Sequence, residues 1–358
     1  MSSDALPLAT APAGQYRVLV KRRQALLALL ALLLLGSFLL DLALGPTRYG
    51  IGEVLQALLR PAQASQQARV VMWEIRLPVA LMAVVVGGAL SLAGAQMQTV
   101  LNNPLASPFT LGVSAAASFG AALGLAFGVR LLPVAFPALA DYIVPLNAFL
   151  MALLCSGLIH ALSLRRGVTA ETIVLLGIAL VFTFNALLAL VQYFASEQAV
   201  AAVVFWTMGS LTKATWPKLA ITALVLACTL PLFARQAWAL TALRLGDDKA
   251  ASFGIDVRRL RLQTLVLVSL LAAFPVAFVG TIGFVGLVGP HIARLLIGED
   301  QRFFMPAALL AGALILSLSS VVSKMLVPGA IFPIGVITSL IGVPFFISLI
   351  LGSRRRAW

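Results

Sequence analysis

Apolar positions along this chain come in long unbroken runs, without the alternation of a half-buried strand or the 3.6-residue stripe of a surface helix. Ten windows carry the pattern, at 25–45, 77–101, 109–129, 143–164, 172–194, 218–234, 262–281, 283–298, 304–323 and 333–352. Each holds roughly 20 residues, the length a helix needs to cross a hydrocarbon layer of about 30 Å. The pattern predicts an all-α polytopic membrane protein with about ten transmembrane helices. A single transmembrane domain covers 25–352, with an N-terminal tail at 1–24 and a short basic tail at 353–358. The first run follows Lys21-Arg22-Arg23. It is too long for a signal core and lacks a small-x-small cleavage site, so it is read as a retained span.

Two further stretches are amphiphilic without being long enough to span. Residues 47–75 follow the first window, and residues 197–217 contain "FWTMGSL". The second reads either as a short re-entrant or interfacial helix or as a loop anchored by Trp206 and Trp216.

Composition agrees with the pattern: 61% of the 358 residues are apolar and 10% are charged, with a net charge of +13. In a soluble protein such a charge would raise the question of nucleic acid; here membrane orientation accounts for it. An even number of spans puts both termini on one side. If that side is the cytoplasm, the inner segments hold 17 of the 25 basic residues, a positive-inside bias. Cys155 and Cys228 lie in apolar windows without metal-type spacing and read as small packing residues.

Motifs for catalysis are missing. The chain has no G-x-x-x-x-G-K-[ST] phosphate loop, no H-E-x-x-H and no G-x-S-x-G. His160 and His291 stand alone in their windows, and a structural or helix-end role suits His291. Asp41, Asp141, Glu171, Glu197 and Glu299 lie near span ends or in loops, whereas an ion-coupled carrier needs an ionisable group near the bilayer midplane. The energy for any transport then comes from elsewhere. An ion-coupled secondary transporter remains the competing reading, and an intramembrane enzyme would need paired polar groups that the sequence does not display.

Glycine and proline mark two regions. Gly87, Gly88 and Gly94 fall in the second window, and "GTIGFVGLVGPH" places Gly280, Gly283, Gly286, Gly289 and Pro290 close together. Small residues allow close helix packing in lipid, and interrupted helices also line transport paths. Asn102, Asn103 and Pro104 offer similar kinks and polar backbone. The spacing of the windows makes any repeat relating 77–194 to 262–352 one of inverted topology.

The most anomalous segment is "LGDDKAASFGIDVRR", where six of fifteen residues are charged. Gly246 and Asp247 suit a helix start, Gly254 a left-handed cap, and Asp256 the start of a second helix. The loop 245–259 is either a self-capped connection or a docking ridge for a cytoplasmic partner.

These residues, with others, resemble the permease subunits of ATP-binding-cassette importers for iron-siderophores, haem and cobalamin. The resemblance runs from about Ile75 onward, through "IRLP", "NNPLASPFTLGVSAAASFGAALG", "LGDDKAASFGIDV", "GFVGLVGPHIARLLIGEDQR" and "FPIGVITSLIGVPFF". It implies a homodimer in a bacterial inner membrane, with both termini cytoplasmic. It also implies two cytoplasmic ATPase subunits that hold ATP and Mg, a periplasmic binding protein, and no cofactor or metal bound by this chain. The stretch with Gly246, Asp247, Asp248, Lys249, Gly254 and Ile255 corresponds to the ATPase-coupling element, and Arg76 and Lys324 to basic positions where the binding protein docks. Anchoring of span ends at the interface is the alternative reading of both basic residues. The sequence departs from the family at Val79, Ser320 and Ile331, which stand where charged residues are usual.

Overall fold

The computed structural model describes residues 13–45, 47, 49–132, 141–163, 165, 168–327 and 330–353, and every regular element among them is helical. In chain order these are α1 (Ala13–Ala43), α2 (Ile51–Leu59), α3 (Gln66–Val70), α4 (Leu77–Val100), α5 (Val113–Phe127), α6 (Ile143–Ser163) and α7 (Ala170–Phe194). There follow α8 (Glu197–Thr207), α9 (Trp216–Leu243), α10 (Asp247–Ser252), α11 (Val257–Val279), α12 (Val285–Ile297), α13 (Gln301–Met325) and α14 (Ile334–Ser353).

Each of the ten apolar windows contains a helix, but the helices are unequal. Seven described helices are long and apolar enough to cross a membrane, two apolar helices, Val113–Phe127 and Val285–Ile297, are shorter, and α14 runs 20 residues from Ile334 to Ser353. At 1.5 Å per residue, α5 and α12 rise about 23 and 20 Å, less than the hydrocarbon core. The windows at 109–129 and 283–298 are therefore cut short. Gly112 (φ 85°) and Gly128 (φ 62°) bracket α5, and Gly280 (φ 77°) ends α11 before Phe284, at φ 66°, opens α12. Elsewhere helices overrun the windows. α1 begins at Ala13, inside the expected tail, and α11 begins at Val257, inside the expected loop. Residues 1–12 and 354–358, the outer parts of the two tails, lie outside the described residues.

α4 is the centre of the molecule. Its apolar window is 83% buried, against 28%, 17% and 22% for those of α6, α7 and α9, which face outward. Hydrophobic burial cannot separate helix contacts from lipid contacts, so close packing and interhelical hydrogen bonds have to hold the bundle. On α4, Gly94 lies against the Gly286 backbone of α12 and Gly87 against Gly312 of α13, so a Cβ at either would overlap a carbonyl oxygen. Ser91 Oγ donates to Ala308 O at 2.6 Å, and Gln96 Nε2 to Gln301 Oε1 at 3.0 Å. Gln301 Nε2 donates in turn to Thr99 Oγ1 at 2.9 Å.

Both amphiphilic stretches are helical. Residues 51–76 form α2, α3 and a wider turn over Val71–Arg76 that runs into α4. Residues 197–213 form α8 and a short 3-10 turn. Trp216 Nε1 donates to Trp73 O at 3.0 Å. Trp206 is buried beside Gly280 and is a packing residue, not an interfacial anchor.

Candidate functional site

Three clusters collect the residues that the sequence singled out: one at each end of α4, and one where helices break beside the N-terminal one. The two ends are about 36 Å apart, from 24 residues at 1.5 Å each.

At the C-terminal end of α4 lies the charged loop. Gly246, at φ 104°, ends the descent of α9 and starts the six-residue α10. Gly254, at φ 79°, reverses the chain, and Ile255 N closes the turn on Ala250 O at 3.3 Å. Asp256 Oδ1 accepts the Arg259 amide at 2.9 Å and caps α11. The expected second helix of the loop is thus the first turn of α11 itself. Asp247 does not cap α10 either, since the cap residue is Gly246 and makes no side-chain bond. Asp247, Asp248 and Lys249 are exposed, Ala250 is fully buried, and the apolar Leu245 and Phe253 stand 57% and 54% exposed at either end. A rigid ridge with one buried foot and two exposed apolar corners results.

Ionic contacts tie this ridge to the bundle. Arg261 Nη2 donates to both Asp247 oxygens, at 3.1 and 3.0 Å, while its Nε donates to Val100 O at 3.0 Å. Arg244, at the end of α9, donates to both oxygens of Glu299 and, at 3.3 Å, to Asn102 Oδ1. Arg294 of α12 pairs with the same Glu299, Nε to Oε1 at 2.9 Å, and donates to Gln98 Oε1 at 3.0 Å. Gln98 Nε2 reaches Gly286 O at 3.4 Å. One network therefore joins α9, α10 and α11 to α4 and α12. In the sequence Arg244, Arg261 and Arg294 count only towards orientation, Glu299 is one of several acids near span ends, and Gln98 carries no signal. The available signal was the acidic pair Glu299-Asp300 among basic residues at one membrane face. Beside it, Arg302 and Arg23 hold the Asp300 carboxyl below the usual carboxylate range, chiefly through the Arg302 hydrogen bond.

At the N-terminal end of α4 the cations turn inward. Arg76 is 5% exposed. Its guanidinium donates to Leu42 O at 2.7 Å, Ala43 O at 3.1 Å and both oxygens of Thr47, and lies 4.9 Å from the Tyr49 ring centroid. Lys324 Nζ donates to Asp41 Oδ1 at 2.8 Å and Asp41 O at 2.9 Å. Both cations close the end of α1, whose last carbonyls and one buried carboxylate have no other partner in the helix. A cavity of about 350 Å³ opens there. Arg76, Lys324, Val79, Ser320 and Ile331 all line it, so every position named for this face converges on one hollow.

Next to this cavity, which Ser210 and Ile334 also line, three chain interruptions bond to one another. Ser210 N donates to Val279 O at 2.7 Å, Thr281 Oγ1 to Thr207 O at 2.5 Å, Ile334 N to Gly209 O at 3.1 Å and Gly335 N to Met208 O at 3.0 Å. Gly280 lies in this junction. Gly283 faces the Phe109 ring, Gly286 packs on α4, and Pro290 is buried within α12. The other expected hinge residues separate from these. Asn102 (φ 43°) joins the ionic network, Asn103 Oδ1 accepts Leu105 N at 2.9 Å, and Pro104 is exposed. Phe109 and Gly283 bring the 101–112 loop against the break. Among the described residues no three His, Cys, Asp or Glu side chains gather closely enough to hold a metal.

Comparison with known proteins gives this arrangement a context. The hemin transport system permease HmuU of Yersinia pestis is 37% identical over 80% of this chain and 85% of its own. The vitamin B12 import system permease BtuC of Vibrio cholerae is 35% identical over 77% and 81%. A metal-chelate type ABC transporter solved in an inward-facing conformation superposes with a TM-score of 0.79 at 30% identity, covering 92% of this chain and 99% of that one. The pattern of the FecCD transport family matches residues 32–352, and the chain belongs to that family.

Proposed function

We propose that this chain is the membrane permease of an ATP-driven importer that moves a bulky iron chelate, haem or corrinoid from the periplasm to the cytoplasm. Ten helix passes in two inverted halves lie in the inner membrane, with both termini in the cytoplasm. Two copies form the path, two separate ATPase subunits that hold ATP and Mg dock at the α10 end, and a periplasmic binding protein docks at the cavity end. The named relatives carry hemin and vitamin B12, which supports the substrate class.

The observation that carries the reading is the ridge at 245–256. A six-residue helix, fixed by Gly246 and Gly254 and tied through Asp247 and Arg261 to the last carbonyl of α4, converts a push at the surface into displacement of the central helix. An ion-coupled carrier is less well supported. The buried ion pair Asp41–Lys324 lies within two residues of the ends of α1 and α13, about 3 Å along the axis, and not at mid-depth. Reconstitution with the cognate ATPase and binding protein tests the proposal. Uptake should require ATP, and Gly254→Pro, which cannot adopt the positive φ, should abolish it in a folded protein. Uptake without the ATPase would end this reading.

A further inference from the structure

We propose that the crevice between α6, α9 and α11 binds an anionic phospholipid with a hydroxylated head group, drawn from the leaflet beside the 245–256 ridge. The crevice has a volume of about 580 Å³ and its lining changes character with depth. At its mouth stand Arg258 and Arg259, on the first turn of α11. Four to eight residues further along the same helix, about 6–12 Å into the membrane, the wall is Leu262 and Val266, and Leu232 of α9 faces them. Val266 and Leu232 are 46% and 41% exposed, open to an acyl chain. Basic pockets above apolar walls between membrane helices suit acidic lipid head groups.

Two buried atoms point to the same ligand. His160 and Gln236 line the crevice, and His160 Nδ1 and Gln236 Oε1 are buried without a hydrogen-bond partner among the described residues. Gln236 Nε2 is engaged, donating to Gln263 Oε1 at 2.9 Å. An unpaired buried polar atom costs free energy that a suitable ligand recovers. A phosphodiester oxygen accepts from an imidazole N–H, and a glycerol hydroxyl donates to an amide oxygen. One carboxylate, Asp256, also lines the crevice; its Oδ1 accepts the Arg259 amide as the α11 cap, and against its single negative charge the two guanidiniums leave the lining net positive. Two guanidiniums at the mouth favour a net negative head group over a zwitterionic one. The inference rests on the membrane-spanning reading and not on the ATPase. A lipid wedged between α9 and α11 would brace the two helices that flank α10.

Native mass spectrometry of the purified full-length chain tests this, with phosphatidylglycerol and phosphatidylcholine of equal chain length offered together. The wild type should retain phosphatidylglycerol preferentially, by about fivefold for each arginine. Arg258→Gln with Arg259→Gln should lose the preference. Leu232→Trp, which fills the apolar depth and leaves the charges intact, should lose retention and serves if the arginine variant does not fold. Glycerol phosphate at equal concentration should not displace the lipid. The proposal is overturned if the wild type shows no preference, if both variants keep it, or if glycerol phosphate competes equally, which would make the ligand a soluble phosphate. A lipid-free dimer that excludes phosphatidylglycerol would also overturn it, by assigning the face to a second copy.

Discussion

The two ends of α4 use the same chemistry, basic side chains against carboxylates and carbonyls, in opposite settings. At the cavity end Lys324 and Asp41 are 7% and 0% exposed and pair with each other alone. At the ridge end Glu299 and Asp247 are 38% and 56% exposed, and Glu299 is shared between two arginines. Separating a buried pair strands a charge in a medium that cannot solvate it, so such a pair resists rearrangement. A pair whose carboxylate reaches solvent, as here against arginines 18–21% exposed, exchanges its partner for water at less cost. The first arrangement suits a fixed joint, and the second suits a joint that changes partners during a cycle.

The largest test of this contrast is Lys324→Met, which leaves Asp41 buried and unpaired. It should destabilise the folded protein by about 3–5 kcal/mol, seen as a fall in the unfolding midpoint in detergent. Adding Asp41→Asn should recover most of that loss. If the single variant is as stable as wild type, the cavity end is not a fixed joint. Next in size is Gly94→Val, which drives a side chain into the Gly286 backbone. Overpacking of this kind costs about 1–3 kcal/mol, and the same measurement should show it. An unchanged midpoint would mean that α4 and α12 separate freely.

Much of this architecture was legible beforehand, for identifiable reasons. Long apolar runs are forced by the thickness of lipid, so all ten windows located helices. Gly246, Gly254 and Asp256 were readable because positive φ and helix caps are local demands met by few residue types. What escaped depends on distant groups. A cation at a span end can face outward or close a neighbouring helix. For Arg76 the choice rests on the helix-end carbonyls of Leu42 and Ala43, more than thirty residues away. Glu299 looked like an ordinary loop acid because its partners come from α9 and α12. The shortness of α12 was hidden because Phe284, in an apolar run, holds a left-handed conformation that its residue type does not announce.

Two smaller effects sharpen the ridge end. Glu299→Gln removes the shared carboxylate of a partly exposed pair, so stability should fall by no more than about 1 kcal/mol, while hydrogen exchange of 245–256 should accelerate. Protection equal to wild type would separate the ridge from Glu299. The smallest effect concerns Asp300. Its folded pKa is depressed, so its contribution is present above the ordinary carboxylate pKa and is lost as pH falls through the lower folded value. Acid should therefore loosen the Arg23–Asp300–Arg302 tie below the usual carboxylate range, and Asp300→Asn should flatten that part of the stability profile. A profile identical to wild type would show that the tie contributes nothing.

Coupling between the ridge and the bundle is read from the number of ATP molecules hydrolysed per substrate imported, in proteoliposomes with the cognate ATPase and binding protein. Glu299→Gln is compared with the charge-free pair Asp41→Asn, Lys324→Met. With the moving joint at the ridge end, Glu299→Gln should raise this number several-fold, because hydrolysis no longer moves α4 and α12 together, while the paired change leaves it at the wild-type value. A wild-type ratio in Glu299→Gln alongside uncoupling in the paired variant would contradict it and place the moving joint at the cavity end.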